Sequence, residues 1–293
     1  MNFEGIGTPI FSVSKSSKLK MGRKPNTEKS DPNECQYCCK KTTPKNKARH
    51  EKVCSMKKAG IKKDEKIMYA SSKQPNIKNY FETFETEPGQ VIQHIPNRKQ
   101  ERDILYISAR SGAGKSWYAK DYANKYREMY PKRDIYLFSG LEDDKGSIDK
   151  IKNLQRIKLD SEFMKADITL DMMKNSMLIF DDIDIIDDKL LLNKLYTILN
   201  MALQTGRHSH TSVIFTTHTP CNGQKTKICL AESHSITLFV PGMGNKSLKY
   251  LLDSYYGLDK KQIEKIKSIP SRWVTLTRTF PSVCFHQNGA FVL

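Results

Sequence analysis

Eight residues constrain this chain more than any others. They are ARSGAGKS, Ala109 to Ser116, set between the apolar run ILYIS (Ile104 to Ser108) and a helical stretch from Lys115 to Tyr130. A strand that turns through a glycine-containing loop straight into a helix leaves free backbone N–H groups at the helix start, a cradle for phosphate. Such a loop is written G-x-x-x-x-G-K-[ST], and here alanine takes the first place. Position 109 lies at the strand-to-loop hinge, away from the phosphates, where lacking a large side chain matters more than being glycine. Gly114 carries the stricter demand, because the backbone must curl where a Cβ would intrude, and Gly112 loosens the middle of the loop. Lys115 is placed to reach β/γ-phosphates and the Ser116 hydroxyl to ligate Mg²⁺. Ala109, Arg110, Ser111, Gly112, Ala113, Gly114, Lys115 and Ser116 are therefore the expected ATP cradle. The bland reading, a Gly/Ser turn in a Lys-rich chain, does not account for the strand before it and the helix after it.

The surroundings point to one fold class. IYLFS (Ile135 to Ser139), SMLIFDD (Ser176 to Asp182), SVIFTTH (Ser212 to His218) and ITLFVP (Ile236 to Pro241) read as buried strands. Leu190 to Gln204, Leu248 to Tyr256 and Lys260 to Ile269 show helical spacing, and the chain ends on WVTLTRTF and a hairpin predicted around Asn288-Gly289. Alternating strands and helices predict an α/β fold with a mostly parallel sheet covered on both faces.

A P-loop needs an acidic partner, and MLIFDD supplies it: Asp181 falls at the carboxyl end of a buried strand, where open α/β sheets bind ligands. Asp181 is the candidate Mg²⁺ ligand, and Asp182 takes the place of a base that orients the attacking water. Asp182 is one methylene shorter than the glutamate common there. Asp187 and Asp188 fit the cap of the next helix. In GRHSHTSVIFTTHTP, Gly206 to Pro220, Thr217 and His218 end a strand with polar groups, a position for a γ-phosphate sensor. Arg207 is either a surface arginine or an arginine finger, in cis or from a neighbouring subunit.

Charge and cysteines speak to the remainder. The net charge is +17 over 293 residues, which suits a polyanionic partner such as nucleic acid. Residues 1–66 hold 17 Lys/Arg against 7 Asp/Glu, a surplus of +10, and read as basic flexible chain. Four of the seven cysteines lie between Cys35 and Cys54, which argues against a secreted disulfide framework. C-x₂-C-x₁₁-H-x₃-C (Cys35, Cys38, His50, Cys54) has the ligand spacing of a tetrahedral Zn²⁺ site, with Cys39 as an alternative to Cys38. Lysines and Arg49 around it favour phosphate contact over base reading. No apolar stretch is long enough to span a bilayer, and the N-terminus lacks the order of a signal peptide.

The order P-loop, FDD, GRH, a strand ending TTHTP, then LAESHSITLFVP and SRWVTLTRTFP, resembles the FtsK–HerA superfamily of DNA-pumping ATPases. It is most similar to the viral genome-packaging ATPases of poxviruses, giant viruses and their virophage relatives. The likeness spans roughly residues 100–293. It implies a RecA-like core with a ring, hexameric, around double-stranded DNA, ATP and Mg²⁺ as cofactors, Lys115, Asp182, Arg207 and His218 as catalytic residues, and work at a viral assembly site in host cytoplasm with capsid or portal partners. His218 stands where FtsK-like pumps carry Gln. The expected organisation is a basic tail (1–30), a zinc module (31–58), a linker (59–85) and a P-loop ATPase domain (86–293). Alternatives are another DNA-dependent motor or helicase, a kinase-type P-loop enzyme, whose acidic strand should lie beside the P-loop strand, and a zinc-containing nucleic-acid scaffold using ATP as a switch.

Overall fold

The strands expected to be buried alternate their side chains between two separate cores. The computed structural model describes residues 11–15, 43, 46, 66–72, 83–86, 90–96, 102–141, 148–279 and 282–293. Its strands are β1 (Phe11–Lys15), β2 (Lys66–Ser72), β3 (Thr83–Glu85), β4 (Gln90–His94), β5 (Ile104–Ser108), β6 (Ile135–Ser139), β7 (Leu154–Arg156), β8 (Met177–Asp181), β9 (Ser212–Thr217), β10 (Ser235–Leu238), β11 (Val274–Thr277), β12 (Val283–His286) and β13 (Gly289–Val292). The helices are α1 (Lys115–Met129), α2 (Ser161–Lys165), α3 (Lys189–Thr205), α4 (Gly223–Glu232), α5 (Asn245–Ser254) and α6 (Lys260–Ser268).

Ten strands make one sheet in the order β3-β13-β12-β11-β10-β5-β9-β8-β6-β7. From β10 to β7 every neighbouring pair is parallel, and from β10 back to β3 every pair is antiparallel. Along β5, Ile104 and Tyr106 enter one core while Leu105 and Ile107 enter the other; β8 divides Leu178 and Phe180 from Met177 and Ile179 in the same way. Period-two alternation with both faces apolar is why these strands read as unbroken hydrophobic runs. The first core is closed by Leu195, Ile198, Leu199 and Ala202 of α3 with residues of α4, α5 and α6. The second is closed by Tyr118, Ala119, Tyr122, Ala123 and Tyr126 of α1. Asp188 caps α3, its Oδ1 accepting from the N–H groups of Leu190 (2.8 Å) and Leu191 (3.1 Å).

Register brings the carboxyl ends of the parallel strands to one edge: Ser108 pairs with Thr217 and with Leu238, and Ser139 pairs with Asp181. β9 lies between β5 and β8, so the acidic strand is not beside the P-loop strand and the kinase-type order is excluded. The terminal hairpin closes on Gln287-Asn288, since His286 pairs with Gly289, one residue earlier than the Asn288-Gly289 turn expected. Two pieces of the expected tail and linker form strands: β1 pairs with β2 antiparallel and β2 with β4 parallel in a second, three-stranded sheet. β3, also in the expected linker, adds to the edge of the large sheet. Long-range pairing supplies the backbone partners that local composition did not announce. The zinc quartet Cys35, Cys38, His50 and Cys54 lies outside the described residues; among the described residues no group of three or more His, Cys, Asp or Glu is placed to hold a metal by itself. Cys221, Cys229 and Cys284 are free thiols.

Candidate nucleotide site at the carboxyl edge of the sheet

The loop leaves β5 through Ala109, which is wholly buried and whose N–H donates to Thr217 O at 3.1 Å. Its φ is not in the left-handed region, so nothing at this hinge demands glycine. Gly112 (φ 72°) and Gly114 (φ 112°) do occupy that region, where side chains are strained. Ala113 N–H closes the turn on Arg110 O at 3.3 Å. Gly114 is the N-cap of α1 and brings no side-chain cap, and the first turn of α1 carries no acid. Its leading N–H groups and the positive helix end therefore face the loop without an internal anion.

Opposite, Asp181 ends β8 at 2% exposure and Asp182 follows at 4%. Asp182 adopts φ 48°, in the left-handed region, and this turn brings its carbonyl so close to Gly140 that a Cβ there would stand 2.8 Å from Asp182 O. Thr216, fully buried on β9, ties the two acids together. Its hydroxyl donates to Asp181 Oδ1 at 2.7 Å and accepts Asp182 N–H at 3.1 Å. Burial first, and the Asp182 charge second, push the Asp181 carboxyl up to about 6, with Thr216 and then Lys115 opposing.

Lys115, 5% exposed, bridges the loop to these acids. Its Nζ is 3.2 Å from Asp182 Oδ1 and 3.1 Å from His218 Nδ1, while His218 Nε2 is 3.2 Å from Asp182 Oδ2. Lysine can only donate, so Nδ1 is the acceptor in that contact, while Nε2 faces the Asp182 carboxylate. Thr217 Oγ1 donates to Asp184 Oδ2 at 3.2 Å, and Asp184 Oδ1 is buried without a partner. Ser116 follows Lys115 in the first turn of α1, half-buried.

The residues predicted for the nucleotide site thus gather at this edge of the sheet, with Arg207 the exception. Arg207 is exposed and sits in the turn between α3 and Ser212, the first residue of β9. Thr217 is at the other end of that strand, about 17 Å away. An arginine finger acting in cis does not fit this placement. Three residues at the site escaped the sequence reading. Thr216 was hidden behind Thr217, and Gly140 gave no local signal. Arg272 arrives from the loop before β11, so that a methyl on Gly114 would lie 3.2 Å from its Nη2.

No protein-family model matches the chain. The Uncharacterized protein V3 of Sputnik virophage is 38% identical over 194 residues, covering 66% of this chain and 78% of V3. The chain belongs to the family of that virophage protein. Kinship with a virophage is what the resemblance to the viral branch of the FtsK–HerA ATPases implied. Solved structures overlap this chain more loosely. B204, the DNA-packaging ATPase from Sulfolobus turreted icosahedral virus, gives a TM-score of 0.43 at 17% identity, covering 61% of this chain and 94% of that one. The pCW3 conjugation coupling protein TcpA, in monomer form, gives 0.43 at 11%, covering 64% and 61%.

The donor set fits a hard divalent cation with a phosphate ester. Hydroxyl and carboxylate oxygens are offered by Ser116 and Asp181. Burial and the Asp182 charge hold the Asp181 carboxyl above its ordinary range, and Asp184 Oδ1 is buried without a hydrogen-bond partner.

Proposed function

We propose that this protein is an ATP-driven motor that packages double-stranded viral DNA, hydrolysing ATP with Mg²⁺ at the loop Ala109–Ser116. The observation that carries the reading is the contact of Lys115 with both Asp182 and His218, three groups from three different elements meeting at the carboxyl edge of the sheet. Mg²⁺, held by Ser116 and Asp181, would supply charge neutralisation between the β- and γ-phosphates.

The chain's own residues divide the work. The N–H groups of the loop and of the first turn of α1 bind the phosphate oxygens. Lys115 exchanges Asp182 for the γ-phosphate, which leaves Asp182 Oδ1 free to take the proton of the attacking water. Support for the shorter aspartate in this role is that its carboxylate meets Lys115 Nζ, the group that would next hold the γ-phosphate. His218 holds the other oxygen of Asp182 through Nε2 and so keeps the carboxylate aimed; loss of its Nδ1 contact, once Lys115 moves, reports γ-phosphate to β9. Arg207, on the far edge, serves a neighbouring subunit's site, which makes the working form a ring. The surplus of positive charge, much of it in residues 1–66, favours DNA phosphates as the track. The quartet Cys35, Cys38, His50 and Cys54 is assigned to zinc, to be checked by metal analysis of the full chain.

Steady-state ATP hydrolysis with and without long duplex DNA tests the reading. We expect turnover that rises with DNA and disappears in Lys115→Ala. Tight ATP binding with no turnover under either condition would reject the motor and leave an ATP-dependent switch.

A further inference from the structure

We infer that Arg272 is a second phosphate-binding cation of the same subunit, placed at the α/β end of the nucleotide and opposite Asp182. The inference rests on the ATP-site reading above and assigns a residue that reading did not use.

Geometry comes first. The Arg272 guanidinium lies over the open face of Gly114, with Nη2 3.2 Å and Cζ 3.5 Å from where a Cβ would be. A Cβ there would crowd the guanidinium, the φ of 112° itself calls for glycine, and in the ATP-site reading Gly114 is the residue whose backbone faces the phosphates. The short loop carrying Arg272 is firmly held: its N–H donates to Gln287 Oε1 at 2.7 Å, Ser271 Oγ donates to Trp273 O at 2.6 Å, and Gln287 N–H donates to Ser271 Oγ at 3.0 Å. Trp273 is buried edge-on against Tyr118 of α1, ring centroids 5.1 Å apart. The arginine is therefore braced against the very helix whose N-terminus forms the cradle.

Electrostatics supplies the second strand of the argument. Among the described residues no carboxylate pairs with the guanidinium, and its burial works against the charge with no opposing acid. The positive end of α1, with no acid in its first turn, lies beside it. A half-buried cation next to a helix N-terminus is an unfavourable arrangement until an anion arrives. Lys115 differs here, because Asp182 already neutralises it.

Sheet order assigns the end of the nucleotide. Asp181, Asp182 and His218 reach the loop from the β9 and β8 side of β5, whereas Arg272 arrives from the β10 and β11 side. In the ATP-site reading the γ-phosphate lies beside Asp182, and Arg272 stands over Gly114 on the opposite side of the loop, which places it at the α/β end. Binding there is present in ATP and ADP alike and does not change with the chemistry.

Calorimetric titration of ATP and ADP into the full chain, with Arg272→Ala, Arg272→Lys and Arg272→Gln, tests this together with steady-state kinetics. Loss of a charge-assisted contact should weaken ATP and ADP equally, by about tenfold or more. KM should rise with kcat nearly unchanged, the signature of uniform binding, and lysine should restore part of the loss. Near-ultraviolet circular dichroism, to which buried Trp273 contributes, reports whether Arg272→Gln keeps the aromatic packing. Unchanged affinity for both nucleotides overturns the assignment, as does a loss confined to ATP or a fall in kcat alone. Absence of nucleotide binding in the unaltered protein would instead overturn the ATP-site reading itself.

Discussion

Exchanging Thr216 for valine keeps the shape of a buried side chain and deletes one oxygen. That oxygen donates to Asp181 Oδ1 at 2.7 Å and accepts Asp182 N–H at 3.1 Å, at a position with no solvent exposure. A hydrogen bond to a charged group contributes about 1.5–3 kcal/mol, and a buried N–H left unpartnered costs about 1–3 kcal/mol. The two losses share one site and are not fully additive, so Thr216→Val should destabilise the fold by about 3 kcal/mol. The second consequence is electrostatic. Burial and Asp182 already raise the Asp181 carboxyl to about 6, and Thr216 is the strongest group opposing them. Without its hydroxyl the carboxyl rises further, so a proton competes with Mg²⁺ closer to neutral pH. Urea unfolding at pH 7 without nucleotide reads the first effect. Mg²⁺ dependence of ATP binding at pH 6, 7 and 8 reads the second, which should steepen on acidification in the valine variant and recover in Thr216→Ser. A valine variant with ordinary stability and an unshifted Mg²⁺ requirement would refute the linkage of these acids through Thr216.

Three further outcomes are expected. Asp182→Asn should lower ATP turnover by about a hundredfold or more while sparing ATP affinity, as loss of a general base does; equal hydrolysis would remove Asp182 from that role. Ala109→Gly, which restores the common P-loop letter, should leave ATP affinity within about twofold and cost about 0.5–1 kcal/mol of stability through backbone entropy. A clear gain in affinity would show that the hinge does limit binding. His94 is buried beside Tyr122 and Phe285, ring centroids 5.7 and 5.2 Å away, and burial lowers its pKa from 6.5 to about 4 against a smaller opposing effect of Asp103. The unfolded chain takes up a proton below about 6.5 and the folded one only near 4, so stability present at neutral pH is lost as pH falls through that window. The loss reaches about 3 kcal/mol. His94→Phe should flatten that part of the pH dependence of thermal unfolding, leaving the share due to His286, whose pKa is lowered in the same direction; an unaltered slope would place the acid sensitivity elsewhere.

The parts of the site readable from sequence are those that a contiguous stretch builds by itself. A strand, a turn through Gly112 and Gly114 and a helix from Lys115 form the cradle within one segment, and short-range sterics decide its shape. Asp181 and Thr217-His218 were readable for a related reason: each ends an apolar run, and the end of a buried parallel strand is where polar groups reach the surface. What depended on strand order and register could not be read. Thr216 joins Asp181 and Asp182 only because β9 lies between β5 and β8, and Gly140 matters only because the left-handed turn at Asp182 presses on it. Arg272 needs the antiparallel return of β11 and the Gln287 side chain to stand over Gly114. Arg207 read as either a surface arginine or an arginine finger in cis or from a neighbour, and the direction of β9, which carries it to the opposite edge, argues against the finger in cis. The strands β1 and β2, in polar segments, exist through pairing with each other and with β4 rather than through their own composition. Local chemistry is written along the chain, whereas the pairings that bring distant groups into contact are settled by which apolar faces the whole sheet must bury.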